Sequence, residues 1–354
     1  MTPPPTADTD VLVVGGGPVG LAAAIEARLA GLGAVVVEPR TGPIDKACGE
    51  GLMPGTVAAL GRLGVRPAGH PIAGIAYVDA SRRAEHRFHG SAGLGVRRTV
   101  LHAALARRAD ELCVDVVQDR VRSLSQDAAG VSAAGVRARW LLACDGLHSG
   151  VRRLVGLERA ARGDRPERAG RRFGLRRHLR LAPWDDLVEV HWGTRVEAYV
   201  TPVAQGLVGV ALLGPAGMDF EEELAGLQEL AGRLRGAEPD GPVRGAGPLR
   251  QRTHRRVRGR VLLVGDASGY VDALTGEGIS LALAQAEAAV AAIVAGRPAA
   301  YEADWRRIVR RYRLLTEALL VAAAVPAVRR RLVPAARALP RVFAAAVDEI
   351  GRTG

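Results

Sequence analysis

From Asp10 to Val14 the chain runs through consecutive apolar, mostly β-branched residues, a pattern that predicts a strand buried on both faces of a parallel sheet. Gly15-Gly16-Gly17-Pro18-Val19-Gly20 predicts a tight turn, Leu21 to Ala30 a helix, and Ala34 to Val37 a second buried strand ending at Glu38. Together these pieces make one βαβ unit of roughly 30 residues. Gly51 to Leu63 reads as a helix with Pro54 near its start, and Ile72 to Asp79 with Glu85 to Phe88 as a hairpin in a second sheet. Arg98 to Asp110 is an amphipathic helix, and Val114 to Leu124, Val131 to Ala133 and Val136 to Arg139 are a small meander. Trp140 to Ala143 is another buried strand, leading into Cys144-Asp145-Gly146.

Beyond residue 171 the pattern changes. Phe173 to Leu181, Leu187 to His191, Arg195 to Val200 and Leu207 to Leu213 alternate as strands at hairpin spacing, and Phe220 to Leu234 is a helix. Arg260 to Val264 returns to the buried parallel type, and an Ala-rich helix follows from about Gly278 to Ala295. Helices fill residues 300–350, interrupted near Pro326, Pro334 and Pro340.

Length adds that 354 residues suffice for one large domain with an insertion or for two domains. A net charge of +12 invites a nucleic-acid partner, but every basic residue except Lys46 is arginine, and no basic run is interleaved with aromatics. Aromatics are too sparse, at 4%, for a base-stacking platform, so no nucleic-acid partner is expected. Cys48, Cys113 and Cys144 lack the number and spacing of a disulfide framework or a zinc site, and no metal is expected. Cys113 and Cys144 read as buried packing residues, and His102 and His148 as packing or surface histidines. The segment Met1 to Asp10 lacks the regions of a signal peptide, and no apolar run reaches the roughly 18–20 residues that span a bilayer. A cytoplasmic protein is expected.

Three segments carry chemistry. The first is Gly15-x-Gly17-x-x-Gly20 between a strand and a helix, with Glu38 ending the next strand. Gly15 permits the turn, Gly17 lets backbone approach a pyrophosphate, Gly20 allows close packing, and Glu38 accepts hydrogen bonds from a ribose, the pattern of a dinucleotide site. The second is Cys144-Asp145-Gly146 running to Arg152, and the third is Gly265-Asp266 followed by Thr275-Gly276-Glu277-Gly278. Strand-end carboxylates suit ribityl or ribose hydroxyls, and glycines at a helix N-terminus offer N–H groups to an anion.

In this order the segments resemble the FAD-dependent group A monooxygenase superfamily, with the fold of para-hydroxybenzoate hydroxylase. The resemblance implies an α/β protein: a discontinuous Rossmann-type FAD-binding domain from residues 8–70, 96–165 and 250–298. Into it is inserted a mostly antiparallel β-sheet substrate domain from 71–95 and 170–248, and C-terminal helices cap it from 299 to 354. It further implies that Asp145 and Gly146, with Arg152, contact FAD and are linked to NADH or NADPH use. Asp266 would bind the ribityl chain, and Arg98 and Lys46, with Gly276 and Gly278, would approach the cofactor. Lys46-Ala47-Cys48-Gly49-Glu50 and Asp272 to Gly278 are similar to geranylgeranyl reductases, and part of the former to flavin-dependent halogenases, one of which attaches FAD through an Asp at the place of Asp272. Capping is the ordinary reading of Asp272. The aromatic stretches of both relatives are absent, Glu197 to Pro202 standing in their place.

In the hydroxylase reading NAD(P)H reduces FAD, O2 forms a flavin C4a-hydroperoxide, and a small hydrophobic or aromatic substrate receives one oxygen atom. In the alternative, hydride reduces a prenyl double bond. Cys48 is the candidate reactive thiol, and Tyr199 and His191 the candidate substrate contacts. Leu314 to Val328, an apolar helix flanked by arginines, suits packing on the FAD domain or peripheral membrane contact.

Overall fold

Consecutive Val and Leu residues in Thr9–Val14 leave no polar face, so this strand can only be an interior strand. In the computed structural model, which describes residues 8–80, 82–159 and 171–352, it pairs in parallel with Ala34–Val37 on one side and Val136–Ala143 on the other. Asp115–Val117 extends the sheet beyond Ala34–Val37, and Val261–Leu263 extends it beyond Val136–Ala143, both in parallel. Val11 and Val13 point to one layer with the helices Pro18–Leu29 and Gly278–Val294; Leu12 and Val14 point to the other. Ala22, Ala23, Ala24 and Ala27 are fully buried, and small side chains of this kind let the two helices lie close together on the sheet.

The second sheet has the order Glu238–Pro239, Arg172–Arg180, Leu207–Pro215, Glu197–Ala204, Leu187–Trp192, Gly74–Asp79, Arg82–Arg87. All its pairs are antiparallel except Leu187–Trp192 with Gly74–Asp79. Its outer face, with Ala198, Val200, Val208 and Val210, is covered by the helices Phe220–Ala225 and Gln228–Arg233. Its inner face, with Ile75, Val188, Val190 and Trp192, packs against Val271, Leu274 and the C-terminal helices. No helix among the described residues is long and apolar enough to cross a membrane.

Several expectations are corrected. The strand expected at Val114 to Leu124 is Asp115–Val117 in the parallel sheet; the meander holds only Leu124–Gln126, Val131–Ala133 and Val136–Ala143, which continues unbroken through Trp140. Ile72 to Asp79 breaks at Ala73: His70–Ile72 joins a three-stranded sheet and Gly74–Asp79 forms the hairpin. The helix expected from Phe220 to Leu234 is two helices, because Gly226 ends the first and Leu227 leaves helical geometry to pack over Gly193. The break expected near Pro334 falls at Arg330–Arg331, and Pro334 stands in the first turn of Leu332–Ala338, where its missing N–H has no intrahelical partner to lose. Cys113 is exposed, since its φ of 55° turns it out of the core just after the helix Arg98–Glu111. The expected boundaries at 165 and 170, the first seven residues and the last two lie outside the described residues.

Candidate FAD site

At the C-terminal end of the parallel strands, each glycine of the first segment has a distinct task. Gly15 has φ 101°, and a Cβ there would stand 2.7 Å from the Cys144 carbonyl oxygen. On Gly20 a Cβ would stand 1.8 Å from the Gly15 carbonyl oxygen, so both positions are closed by the protein itself. Gly17 differs: a Cβ there meets no atom within 4 Å. It caps the helix Pro18–Leu29 without a side-chain bond, so its surroundings are open space in front of a helix N-terminus. Glu38, 4% exposed, accepts hydrogen bonds from Gly16 N at 2.8 Å and from the Arg40 side chain at 2.7 and 3.0 Å. Burial pushes its carboxyl up, but these bonds prevail and hold it ionised, below its ordinary value.

The second segment abuts the first. Asp145 Oδ2 accepts from Val151 N at 3.0 Å, whereas its buried Oδ1 has no partner among the described residues. Gly146 has φ 80°, and a Cβ on it would lie 3.3 Å from Lys46 Nζ. The third segment is held by Gln285, whose Oε1 accepts from Gly265 N at 2.8 Å and from Ser268 Oγ at 3.0 Å. Asp266 is thereby placed within the fields of Arg98, Lys46 and Arg152; burial nevertheless raises its pKa, the three cations opposing. Lys46 opens to solvent in this cleft, and crowding by its walls, then Arg40 and Arg98, lower its pKa. Arg98 begins the helix Arg98–Glu111, donates its backbone N–H to Glu50 Oε1 at 2.8 Å, and leaves its buried Nε without a partner among the described residues.

Gly15, Gly17, Gly20, Glu38, Lys46, Arg98, Asp145, Gly146 and Asp266 are thus brought together. Gly276, with φ 72°, and Gly278 lie at the start of the helix Gly278–Val294, and Gly278 passes Tyr270. The residues fit FAD on three counts: open space at Gly17, and an unpartnered cationic and an unpartnered anionic atom on Arg98 and Asp145. Arg152 has another task than the expected cofactor contact. It is 1% exposed and binds the Leu147 and Ala267 carbonyls, Gln251 and Glu158, clamping the second segment to the third.

Tyr199 and His191, the candidate substrate contacts, lie on opposite faces of the antiparallel sheet. Tyr199 pairs with Val190 on the inner face, and its hydroxyl donates to the Leu274 carbonyl at 2.7 Å. His191 pairs with Ala198 on the outer face and bonds Glu189 Oε2 at 2.9 Å, away from the cofactor segments. Alternation along the strand thus turns His191 and Tyr199 to opposite sides of the sheet, and His191 lines a cavity with Asp79, Arg82 and Trp192. Cys48 is half-buried, accepts from Glu50 N at 3.4 Å, and lies close enough to Tyr270 to affect its ionisation. Asp272 caps a turn rather than a helix: Oδ1 accepts from Leu274 N at 3.1 Å and Oδ2 from Arg172 Nε at 3.0 Å.

The sequence reading missed a buried polar band on the inner face. His178 Nε2 lies 2.6 Å from Glu50 Oε2, Arg176 Nη1 lies 3.0 Å from His178 Nδ1, and Arg176 also binds Asp45 and the Lys46 carbonyl. Gly209 makes room for this pair, since a Cβ there would stand 3.0 Å from Glu50 Oε2. A second chain runs from Asp272 through Arg172 and Glu197 to Arg329. The only sequence signal was Arg172, Arg176 and His178 at even spacing in the strand Arg172–Arg180, masked by Arg177 and Arg180 in the same strand.

Residues 8–170 match the family model described as FAD binding domain. Rifampicin monooxygenase of Streptomyces venezuelae is 32% identical over 161 residues, 42% of this chain and 34% of that protein. Menaquinone reductase of Mycobacterium tuberculosis is 31% identical over 209 residues, 54% of this chain and 44% of that protein. The chain therefore spans well under two thirds of these curated relatives. Among solved structures, OxyS anhydrotetracycline hydroxylase of Streptomyces rimosus superposes with a TM-score of 0.71 at 25% identity, covering 96% of this chain and 76% of that one. Residues 8–170, a little under half of the chain, thus carry the likeness to an FAD binding domain.

Proposed function

We propose that the protein is an FAD-dependent monooxygenase that hydroxylates a phenolic or polyketide-like molecule, with NADH or NADPH as reductant and O2 as oxygen source. The reading is carried by the convergence of the open Gly17 turn, Arg98, Asp145, Lys46 and Asp266 beside the inner face of the antiparallel sheet. FAD, when bound, supplies the redox centre that takes hydride from the nicotinamide and activates oxygen. The N-terminus of the helix Pro18–Leu29 and the Gly17 backbone receive the pyrophosphate, Glu38 the ribose, and Asp266 the ribityl hydroxyls. Lys46 and Arg98 bring positive charge to the same cleft. Ile75, Tyr77, Val188, Val190 and Trp192, packed against Val271 and Leu274, back this cleft with a dry apolar core. Tyr199 holds the loop before Gly276 through the Leu274 carbonyl.

One observation favours a second reading, reduction of an isoprenoid double bond. The menaquinone reductase alignment, over 209 residues, is longer than that of rifampicin monooxygenase, over 161, and it is joined by the outer surface of the cap. There Leu314, Val321, Val325 and Val328 are exposed along the helix Tyr301–Ala324 and its continuation, beside exposed Arg310, Arg313, Arg330 and Arg331. Such a surface suits shallow contact with an anionic bilayer and hence a lipid substrate. In that reading Cys48 is the proton donor.

The decisive experiment reduces the purified yellow protein without oxygen, adds candidate phenols or prenylated quinones, and follows O2 uptake and product mass. A product heavier by one oxygen atom, formed with O2 uptake, supports the monooxygenase. A gain of two hydrogens without O2 uptake moves the assignment to the reductase. Firmly held FAD with neither product makes the protein a flavin-binding protein without turnover.

A further inference from the structure

We propose that His86, His89 and Asp348 form a divalent transition-metal site that clasps the C-terminal helix to the edge of the antiparallel sheet. The residues come from two elements that the fold presses together. His86 is in the edge strand Arg82–Arg87, His89 follows just before the turn at Gly90, and Asp348 is in the helix Pro340–Arg352. That helix lies on the strand end because Gly351 has no side chain. A Cβ there would stand 3.2 Å from the Phe88 ring and 3.8 Å from Pro54. One turn earlier, the same face carries Asp348.

The donor atoms are already gathered. His86 Nε2 lies 2.8 Å from Asp348 Oδ1, His89 Nε2 lies 4.0 Å from Asp348 Oδ2, and the two imidazole centroids are 5.3 Å apart. One donor from each residue lies within 4.8 Å of the other two. Bonds of roughly 2.0–2.2 Å to a tetrahedral ion put its donors about 3.3–3.6 Å apart, so modest rotamer shifts complete the set. Two imidazole nitrogens and one carboxylate oxygen suit Zn²⁺, Co²⁺ or Ni²⁺, and argue against Mg²⁺ and Ca²⁺, which take oxygen ligands. His89 is 81% exposed, leaving the fourth position to water. The neighbouring Glu349 is engaged by Arg311 and Arg352, so it does not draw Asp348's histidines away.

An ordinary His86–Asp348 ion pair would not need His89, which has no hydrogen-bond partner among the described residues. With a metal, the clasp pins the helix that carries Phe343, Val347 and Ile350 into the inner-face core, where Phe343 meets Tyr77 at 5.0 Å between ring centroids. Metal occupancy therefore sets how firmly one wall of that core is closed.

The test uses untagged holoenzyme stripped with a chelator and titrated with Zn²⁺ alone and Co²⁺ alone by calorimetry, with melting curves and the visible Co²⁺ spectrum. One equivalent binds, the melting temperature rises, the chelator reverses the rise, and Co²⁺ develops the absorption of a low-coordinate nitrogen–oxygen site. His89→Ala removes an exposed ring and leaves the fold intact; it lowers metal affinity at least tenfold and abolishes the melting shift. Asp348→Asn acts in the same direction. The absence of stoichiometric binding by the parent protein, or parent-like affinity in folded His89→Ala, overturns the proposal.

Discussion

Replacing Gly17 by Ala separates cofactor binding from folding. The backbone there has φ −69° and ψ 175°, open to any L-residue, and an added Cβ meets no protein atom within 4 Å. Alanine is a poorer helix N-cap than glycine by roughly 0.5–1 kcal/mol. It also restricts the unfolded chain, which returns about 0.4–1 kcal/mol. The two terms nearly cancel, so apo-protein carrying Gly17→Ala melts within a few degrees of the parent. FAD meets a different situation, because the methyl occupies the space assigned to the pyrophosphate. Holding a diphosphate off the helix N-terminus forfeits about two charge-assisted hydrogen bonds at roughly 1.5–3 kcal/mol each. At 1.4 kcal/mol per tenfold, affinity falls by about 10²–10⁴. Gly20→Ala is the contrast, since its Cβ would stand 1.8 Å from the Gly15 carbonyl oxygen and the apo fold itself must give way. Flavin fluorescence titration gives the affinities and thermal melting of apo-protein gives the stabilities. A folded Gly17→Ala protein that binds FAD within about threefold of the parent would refute the placement of the pyrophosphate.

Asp266 trades stability for binding. Burial raises its pKa, so the folded state holds this proton more tightly than the unfolded chain, and its ionisation weakens the fold as pH rises. Asp266→Asn should leave the apo melting temperature at pH 7 unchanged or higher while weakening FAD; a lower apo melting temperature contradicts this. Glu50→Gln removes the charge between His178 Nε2 and Arg98 N and should cost about 1–3 kcal/mol, read as a lower urea midpoint at unchanged slope. Burial pushes Glu189 up, but bonds from His191 and Arg83 hold it at about 2. Its folded pKa is thus below the unfolded value of 4.5, and its stabilisation, complete above that value, is lost as pH falls from 4.5 towards 2. Glu189→Gln should flatten stability against pH in that window, and an unchanged acid limb would remove the residue from the account.

The parallel sheet was legible because Asp10 to Val14, Ala34 to Val37 and Trp140 to Ala143 are apolar without alternation, and the turns after them hold the glycines and carboxylates. What stayed hidden depends on facing. His191 and Tyr199 look alike as polar residues on apolar strands, but only the register of Leu187–Trp192 with Glu197–Ala204 decides which one turns inward. The Glu50–His178 bond joins residues 128 positions apart, and local pattern carries no information about such a partner. The same holds for His86 and Asp348, 262 positions apart. The helix breaks near Pro326, Pro334 and Pro340 were legible because each proline stands in the first turn of the helix that follows the break.

Lys46 is the chain's single lysine, standing beside Gly146 in the cleft with a lowered pKa. An amine that loses its proton more readily is the more reactive nucleophile near neutrality, and no second ε-amine competes for an acylating reagent. Apart from the α-amino group, brief acylation therefore writes its mark at one address, inside the cleft. Arginine-specific cleavage and mass spectrometry read that mark as a ratio of modified to unmodified peptide. On the proposed placement of the pyrophosphate and ribityl chain, bound FAD shields the address, so the unmodified fraction counts filled clefts directly, even in a mixture where the yellow colour of other flavoproteins hides this one.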